Sequence, residues 1–148
     1  MTHDIFELRI YANPVAQARP RFARTGNFVK TYDPAKSVNW KRMVNAEAQR
    51  RVRETNFKMF PAGIPLVASF EFIFQRPPSV SAKKRPHHTV KPDLDNLIKG
   101  CKDALRNVVY FDDAQIVSYA HALKRYVSPD SQPGVIIKIW QKELTVNQ

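Results

Sequence analysis

Five of the thirteen acidic residues in this chain, Asp93, Asp95, Asp103, Asp112 and Asp113, fall within 21 consecutive positions of an otherwise basic sequence. Carboxylates beside a polyanion repel it unless a cation intervenes. They are also the hard oxygen ligands that a divalent ion such as Mg²⁺ requires, and the bound ion reverses the local charge. Such an ion can polarise a phosphodiester and activate water for attack on it. Asp93 and Asp95 stand two apart and share a side wherever the chain is extended. Asp113 reaches them only if residues 108–112 run back along the intervening helix. Lys99 lies four residues beyond Asp95, and its ammonium suits charge developing on a phosphoryl transition state or leaving oxygen. Each residue also has a plainer reading. Asp93 or Asp95 can cap a helix, Asp112 and Asp113 can form a solvated turn, and Lys99 can pair with Asp95 or Asp103 at helical spacing.

The charge balance says what such a centre would act on. Twenty-four Lys and Arg against thirteen Asp and Glu give a formal net charge of +11 and a pI near 10.0. That excess favours a polyanion, either nucleic acid or an anionic membrane surface. Arg19, Arg21, Arg24 and Lys30 surround Phe22 and Phe28, and Lys83, Lys84 and Arg85 lie ahead of the acidic cluster. These cations can position DNA through its phosphates, and an exposed aromatic can wedge at an opened base pair. The plainer alternatives are a solvated basic face and, for Phe22, a place in the core. His87 and His88 read as an exposed loop pair rather than a metal site. Cys101 is the only cysteine, which excludes an internal disulfide and a multi-cysteine zinc site, and it sits in an apolar repeat as a core residue. No apolar run approaches the length needed to span a bilayer. The N-terminus lacks the basic-then-apolar order of a signal peptide. A soluble, cytoplasmic protein with no membrane partner is expected.

The elements that must position these residues follow from periodicity. Residues 4–12 alternate as a first strand, and 15–34 form a basic arm or hairpin that turns at Gly26-Asn27. Pro34 opens a helix to about Thr55, with Val38, Met43, Val44, Ala48 and Val52 as its apolar stripe. Residues 66–75 alternate as a strand, with Leu66, Ala68, Phe70, Phe72 and Phe74 on one side. A proline-rich basic loop over 76–92 leads to a second helix, which runs to about Asn107 and carries Leu97, Ile98, Cys101, Ala104, Leu105 and Val108. Two strands close the chain, from about Gln115 to Tyr126 and at VIIKIW, and read as a hairpin. One α+β domain spans 1–148, in the order β-α-β-α-β-β, with helices packed on a mixed sheet. The pairing of the earlier strands is left open.

DLDNLIKGCKDAL at residues 93–105, followed by FDDAQI at 111–116, resembles the RusA family of phage and prophage Holliday junction resolvases. Upstream, QARPRF and TYDP are similar to the basic N-terminal motif of one branch of that family. The resemblance implies a small, basic, Mg²⁺-dependent homodimer, with Mn²⁺ able to substitute, that nicks four-way DNA junctions symmetrically and leaves ligatable ends. It implies a phage- or prophage-encoded protein acting in the bacterial cytoplasm. It places the metal-binding aspartates at Asp93, Asp95 and Asp113 and the essential lysine at Lys99. Asn96, Asp103, Asp112 and Gln115 match in supporting positions. The interval from Asp95 to Asp113 is a residue shorter than in the best-known resolvase, and the basic loop is long. Two-fold junction symmetry suits a dimer, with the first helix's apolar stripe or the final strands as its interface. Two competing readings stand beside this one. One is a metal-dependent nuclease for other branched DNA, such as flaps or forks. The other is a non-catalytic DNA-binding protein whose acids are only a cap and a turn.

Overall fold

The computed structural model describes residues 5–18, 21–32 and 34–143; for Arg21, Thr25, Lys30, Thr31 and Tyr32 it describes the backbone alone. The elements are β1 (Phe6–Ile10), β2 (Arg21–Thr25), β3 (Phe28–Tyr32), α1 (Ala35–Thr55), β4 (Leu66–Phe74), α2 (Leu94–Leu105), a 3₁₀ turn (Asp113–Gln115), β5 (Ile116–Tyr126) and β6 (Gly134–Gln141). β1, β6, β4 and β5 form one sheet in that order, while among the described residues β2 and β3 pair only with each other. The result is the mixed α+β arrangement that the patterning predicts. Among the described residues no helix is long and apolar enough to cross a membrane.

One pairing differs from the sequence expectation. β5 and β6 do not form a hairpin: β5 runs parallel to β4 on one flank, and β6 runs antiparallel to β4 on the other. The cause lies in β4. Leu66, Ala68, Phe70, Phe72 and Phe74 enter the main core, and on the opposite face Val67 and Ile73 are buried as well. A strand that buries apolar residues on both faces belongs inside a sheet, where two neighbours satisfy its backbone. β5 is far more exposed along its length and serves as an edge. The segment after β5 crosses the end of β4, where the Val127 N–H donates to the Phe74 carbonyl at 2.9 Å.

Both helices cover the face of the sheet that carries Phe6, Leu8, Ile10, Val135, Ile137 and Ile139. From α1 the buried residues are Ser37, Trp40, Val44 and Ala48, so the expected stripe is correct at Val44 and Ala48. Trp40 replaces Val38 as its leading member. Met43 and Val52 pack against the same core from its margin. α2 stops at Leu105 rather than Asn107, because Arg106 turns extended, and Asn107 then takes a left-handed φ of 63°. The N–H groups of Val108 and Val109 both turn back to the Leu105 carbonyl.

The basic loop over 76–92 is anchored rather than free. His88, expected in solvent, is buried; its ring stacks on Phe74 with centroids 4.1 Å apart and packs against Tyr126 at 5.1 Å. Aromatic burial outweighs hydration here because imidazole presents an apolar face. Arg76 lies over the Tyr126 ring and donates to the Arg85 carbonyl. His87 is exposed, as expected.

Two tests follow. A Cβ at Gly134 would lie 1.9 Å from the Ile10 carbonyl oxygen, a backbone atom that cannot step aside. Gly134→Ala is expected to lower unfolding stability in urea by about 1–3 kcal/mol, as overpacking does. The second test concerns His88, whose pKa is lowered from 6.5 by burial first and then by the Lys124 ammonium. Below pH 6.5 the unfolded chain therefore binds a proton that the folded chain does not. Stability is expected to fall as pH drops from that value through the lower folded pKa, and His88→Phe should flatten the decline in melts between about pH 7.5 and about pH 5, which brackets the imidazole range.

Candidate metal centre

Helix α2 and the turn before β5 bring the acidic motifs together. Asp93 occupies the N-cap position of α2 in extended conformation, yet its side chain makes no capping hydrogen bond. Asp95 lies in the first turn, where its Oδ1 accepts the Asn96 N–H at 3.0 Å. The chain then doubles back after Leu105. Buried Tyr110 donates its hydroxyl to the Lys102 carbonyl at 2.6 Å, which lays the returning segment alongside α2. Burial pushes the Tyr110 phenol far above its usual pKa, with the Asp113 carboxylate adding to the shift, so the phenol remains a donor. The return that Asp113 needs is thus built into the fold.

The two aspartates of the second motif have different surroundings. Asp112 caps the 3₁₀ turn: its Oδ1 accepts the Ala114 N–H at 2.9 Å, completing a capping box with Gln115. That N–H, followed by a side-chain hydrogen bond with Asp113, holds the Asp112 carboxyl below the usual carboxylate range. Gln115 is buried and fully engaged. Its Oε1 accepts from the N–H groups of Phe111 and Asp112, both at 3.1 Å, and its Nε2 donates to the carbonyls of Pro61 at 2.9 Å and Ile64 at 3.2 Å. Gln115 therefore staples the turn to the loop before β4.

Asp113 lines a cavity of about 230 Å³ together with Asp95, Ile98, Lys99, Lys102 and Tyr119. Asp93 instead lines a neighbouring cavity with Lys91, Pro92, Asn96 and Ala16–Ala18. Among the described residues no three of His, Cys, Asp or Glu converge as a metal-binding group. Two carboxylates at one cavity nonetheless fit Mg²⁺ in donor type, since that ion is commonly held by one or two carboxylates with water and substrate phosphate. Lys99 lies 3.5 Å from Asp103, and its side chain is 60% exposed. An exposed pair at this spacing contributes only about 0.2–0.5 kcal/mol, so Lys99 can leave it for a phosphate.

The flanking cations are spread more widely. Gln17 N–H donates to the Asn96 carbonyl at 3.0 Å, and Ser37 Oγ bridges the Ala18 N–H and the Ala16 carbonyl. The root of the basic arm is thereby fixed across α2 and α1. Beyond it the β2–β3 hairpin carries exposed Arg24, with Phe22 and Phe28 73% and 78% exposed. The core reading of Phe22 is excluded. Arg19 lies outside the described residues, as do the side chains of Arg21 and Lys30. Lys83 and Lys84 are exposed, whereas Arg85 is half-buried with its Nη1 3.4 Å from the Tyr126 hydroxyl.

Three residues at this site escape a reading of the motifs alone. Lys102 falls on the Asp95–Lys99 stripe at helical spacing, so the periodicity does carry a signal for it. Tyr119 and Lys124 carry none, because strand pairing brings them in. The Lys124 ammonium donates to the carbonyls of Val90 at 2.6 Å and Pro92 at 2.9 Å, clamping the chain where it enters α2. Lys124→Met is expected to leave the cavity walls intact but loosen the entry to α2. Hydrogen exchange at residues 90–96 should accelerate about tenfold or more, for one lost charge-assisted clamp of about 1.5–3 kcal/mol.

A family model for endodeoxyribonuclease RusA matches residues 12–140, which include both acidic motifs, both helices and the arm. Over 144 residues the chain is 32% identical to the uncharacterized protein YqaN of Bacillus subtilis strain 168, across 91% of this chain and 96% of that protein. With nearly its whole length matched and its acidic cavity inside the match, the chain belongs to the RusA family of structure-selective endodeoxyribonucleases, which are characteristically Mg²⁺-dependent resolvers of Holliday junctions.

Proposed function

We propose that this chain resolves four-way DNA junctions by paired hydrolysis, with Asp95 and Asp113 as the core of its Mg²⁺ site and Asp93 at its margin. The observation that carries the reading is the single cavity shared by Asp95, Asp113 and Lys99, side chains from two separate elements. A divalent ion bound there would polarise the scissile phosphate and make water acidic enough to serve as nucleophile. Mn²⁺ has the same ligand preference and can substitute. In hydrolysis the water oxygen bonds to phosphorus, the bond from phosphorus to the 3′-oxygen breaks, and that oxygen takes up a proton. The products are a 5′-phosphate and a 3′-hydroxyl. Lys99 supplies positive charge at the rim of the cavity, where it can meet the phosphate or the departing oxygen.

Arg24, Lys83 and Lys84, with Arg19, Arg21 and Lys30 from the sequence, would hold the arms of the junction through their phosphates. Arg85 is shared between that task and anchoring the loop. A homodimer suits the two-fold symmetry of the substrate. Of the final strands, β5 lies at the edge of the sheet, and its outer edge is the surface that suits a second copy.

The test is cleavage of a labelled mobile four-way junction with Mg²⁺. Wild type is expected to give paired symmetric nicks that EDTA abolishes. Asp95→Asn and Asp113→Asn should each lose on the order of 10²–10³-fold in rate, comparable to removing one electrostatic group from an active site, while still binding the junction. Asp112→Asn should stay within about tenfold of wild type, because an amide oxygen still accepts the Ala114 N–H. Preferred cutting of flaps or forks would favour the other-nuclease reading. Binding without nicks under Mg²⁺ and Mn²⁺ would favour the structural one.

A further inference from the structure

The motif resemblance assigns one lysine to this site, yet the cavity contains two. Asp95, Lys99 and Lys102 follow one another at i, i+4 and i+7 along α2, and all three line the cavity. The two lysines differ in what holds them. Lys99 is exposed and rests against Asp103. Lys102 is half-buried; its Nζ lies 3.1 Å from the Tyr119 hydroxyl, and no carboxylate pairs with it among the described residues. Tyr119 is itself braced, its ring edge-on to buried Phe70 at 6.0 Å. The Lys102 backbone is fixed too, through the Tyr110 hydroxyl on its carbonyl.

A neutral phenol orients an ammonium without cancelling its charge, and Lys has three donors, of which Tyr119 engages one. Lys102 therefore presents a cation with no paired carboxylate among the described residues to a cavity whose two aspartates would otherwise repel a phosphate. An ordered cation of this kind is worth more to an anion than a mobile surface one, because less reorganisation is needed to bind.

We infer that Lys102, oriented by Tyr119, contacts the scissile phosphate as a second cation of the site beside Lys99. The inference rests on the nuclease reading above. Tyr119 is a positioning residue: it acts through Lys102 and not on the substrate.

The experiment has a binding arm and a cleavage arm. Junction affinity is measured in EDTA over a salt series for wild type, Lys102→Met and Lys102→Arg. Loss of one phosphate contact should reduce the slope of log K against log salt by about one in Lys102→Met, with Lys102→Arg near wild type. Single-turnover cleavage with Mg²⁺ should fall on the order of 10²-fold in Lys102→Met. It should fall several-fold in Tyr119→Phe, with the double variant no slower than Lys102→Met alone, as expected when one residue works through the other.

Folding effects are separated by Lys102→Cys, assayed before and after alkylation with 2-bromoethylamine, which rebuilds an ammonium on the same folded chain. The native Cys101 is fully buried, and burial pushes its thiol up to about 12, so it stays unreacted. Recovery of rate on alkylation supports the inference. Equal rates before and after, or wild-type slope and rate in Lys102→Met, overturn it while leaving the nuclease reading intact. A wild type that neither binds nor nicks junctions overturns that reading, and the inference with it.

Discussion

Burial of β4 on both faces is the constraint from which the rest of the architecture follows. Seven of its nine residues are buried, all but Ser69 and Glu71, so its backbone groups must be satisfied by neighbouring strands on both flanks. One neighbour, β6, arrives antiparallel and links β4 to β1. The other, β5, must be reached through a crossover, because a parallel partner cannot be joined by a tight turn. α2 is that crossover. It passes over the core face and returns the chain to the start of β5, which brings the first-turn Asp95 and the pre-strand Asp113 to one cavity.

Around this cavity, neutral and charged groups have separate duties. Gln115, Asp112 and Tyr110 use hydrogen bonds to hold the turn and the returning segment in place. Lys124 holds the entry to α2 through two carbonyls. None of these contacts uses the side chains of Asp95 and Asp113, which line the cavity. A basic protein gathers phosphates readily but cannot by itself bring them against carboxylates. The site's lysines and its fit for a hard cation address that electrostatic conflict.

The basic periphery is built differently. Among the described residues the β2–β3 hairpin pairs with no other strand, and it leaves Phe22, Phe28 and Val29 in solvent. A two-stranded ribbon has little stability of its own, so its orientation depends on the arm root held by Asn96 and Ser37. The loop over 76–92 achieves order by inserting His88 between aromatic rings while leaving Lys83 and Lys84 exposed.

Much of this was legible in the residues alone. The helices, the alternation of β4, the hairpin turn at Gly26-Asn27 and the acidic motifs all depend on local spacing, and spacing is written in the chain. Gly26 takes the positive φ of 63° that such a turn requires. Local spacing could not decide which strands would pair. The final strands are close in sequence and look like a hairpin, yet burial of β4 separates them. The same limit applies to side chains. Nothing near His88 announces the Phe74 and Tyr126 rings, and nothing near Lys102 announces Tyr119. Residues distant in sequence meet only when the sheet closes, so the Lys102–Tyr119 pair, the burial of His88 and the sharing of one cavity by Asp95 and Asp113 were decided by tertiary structure.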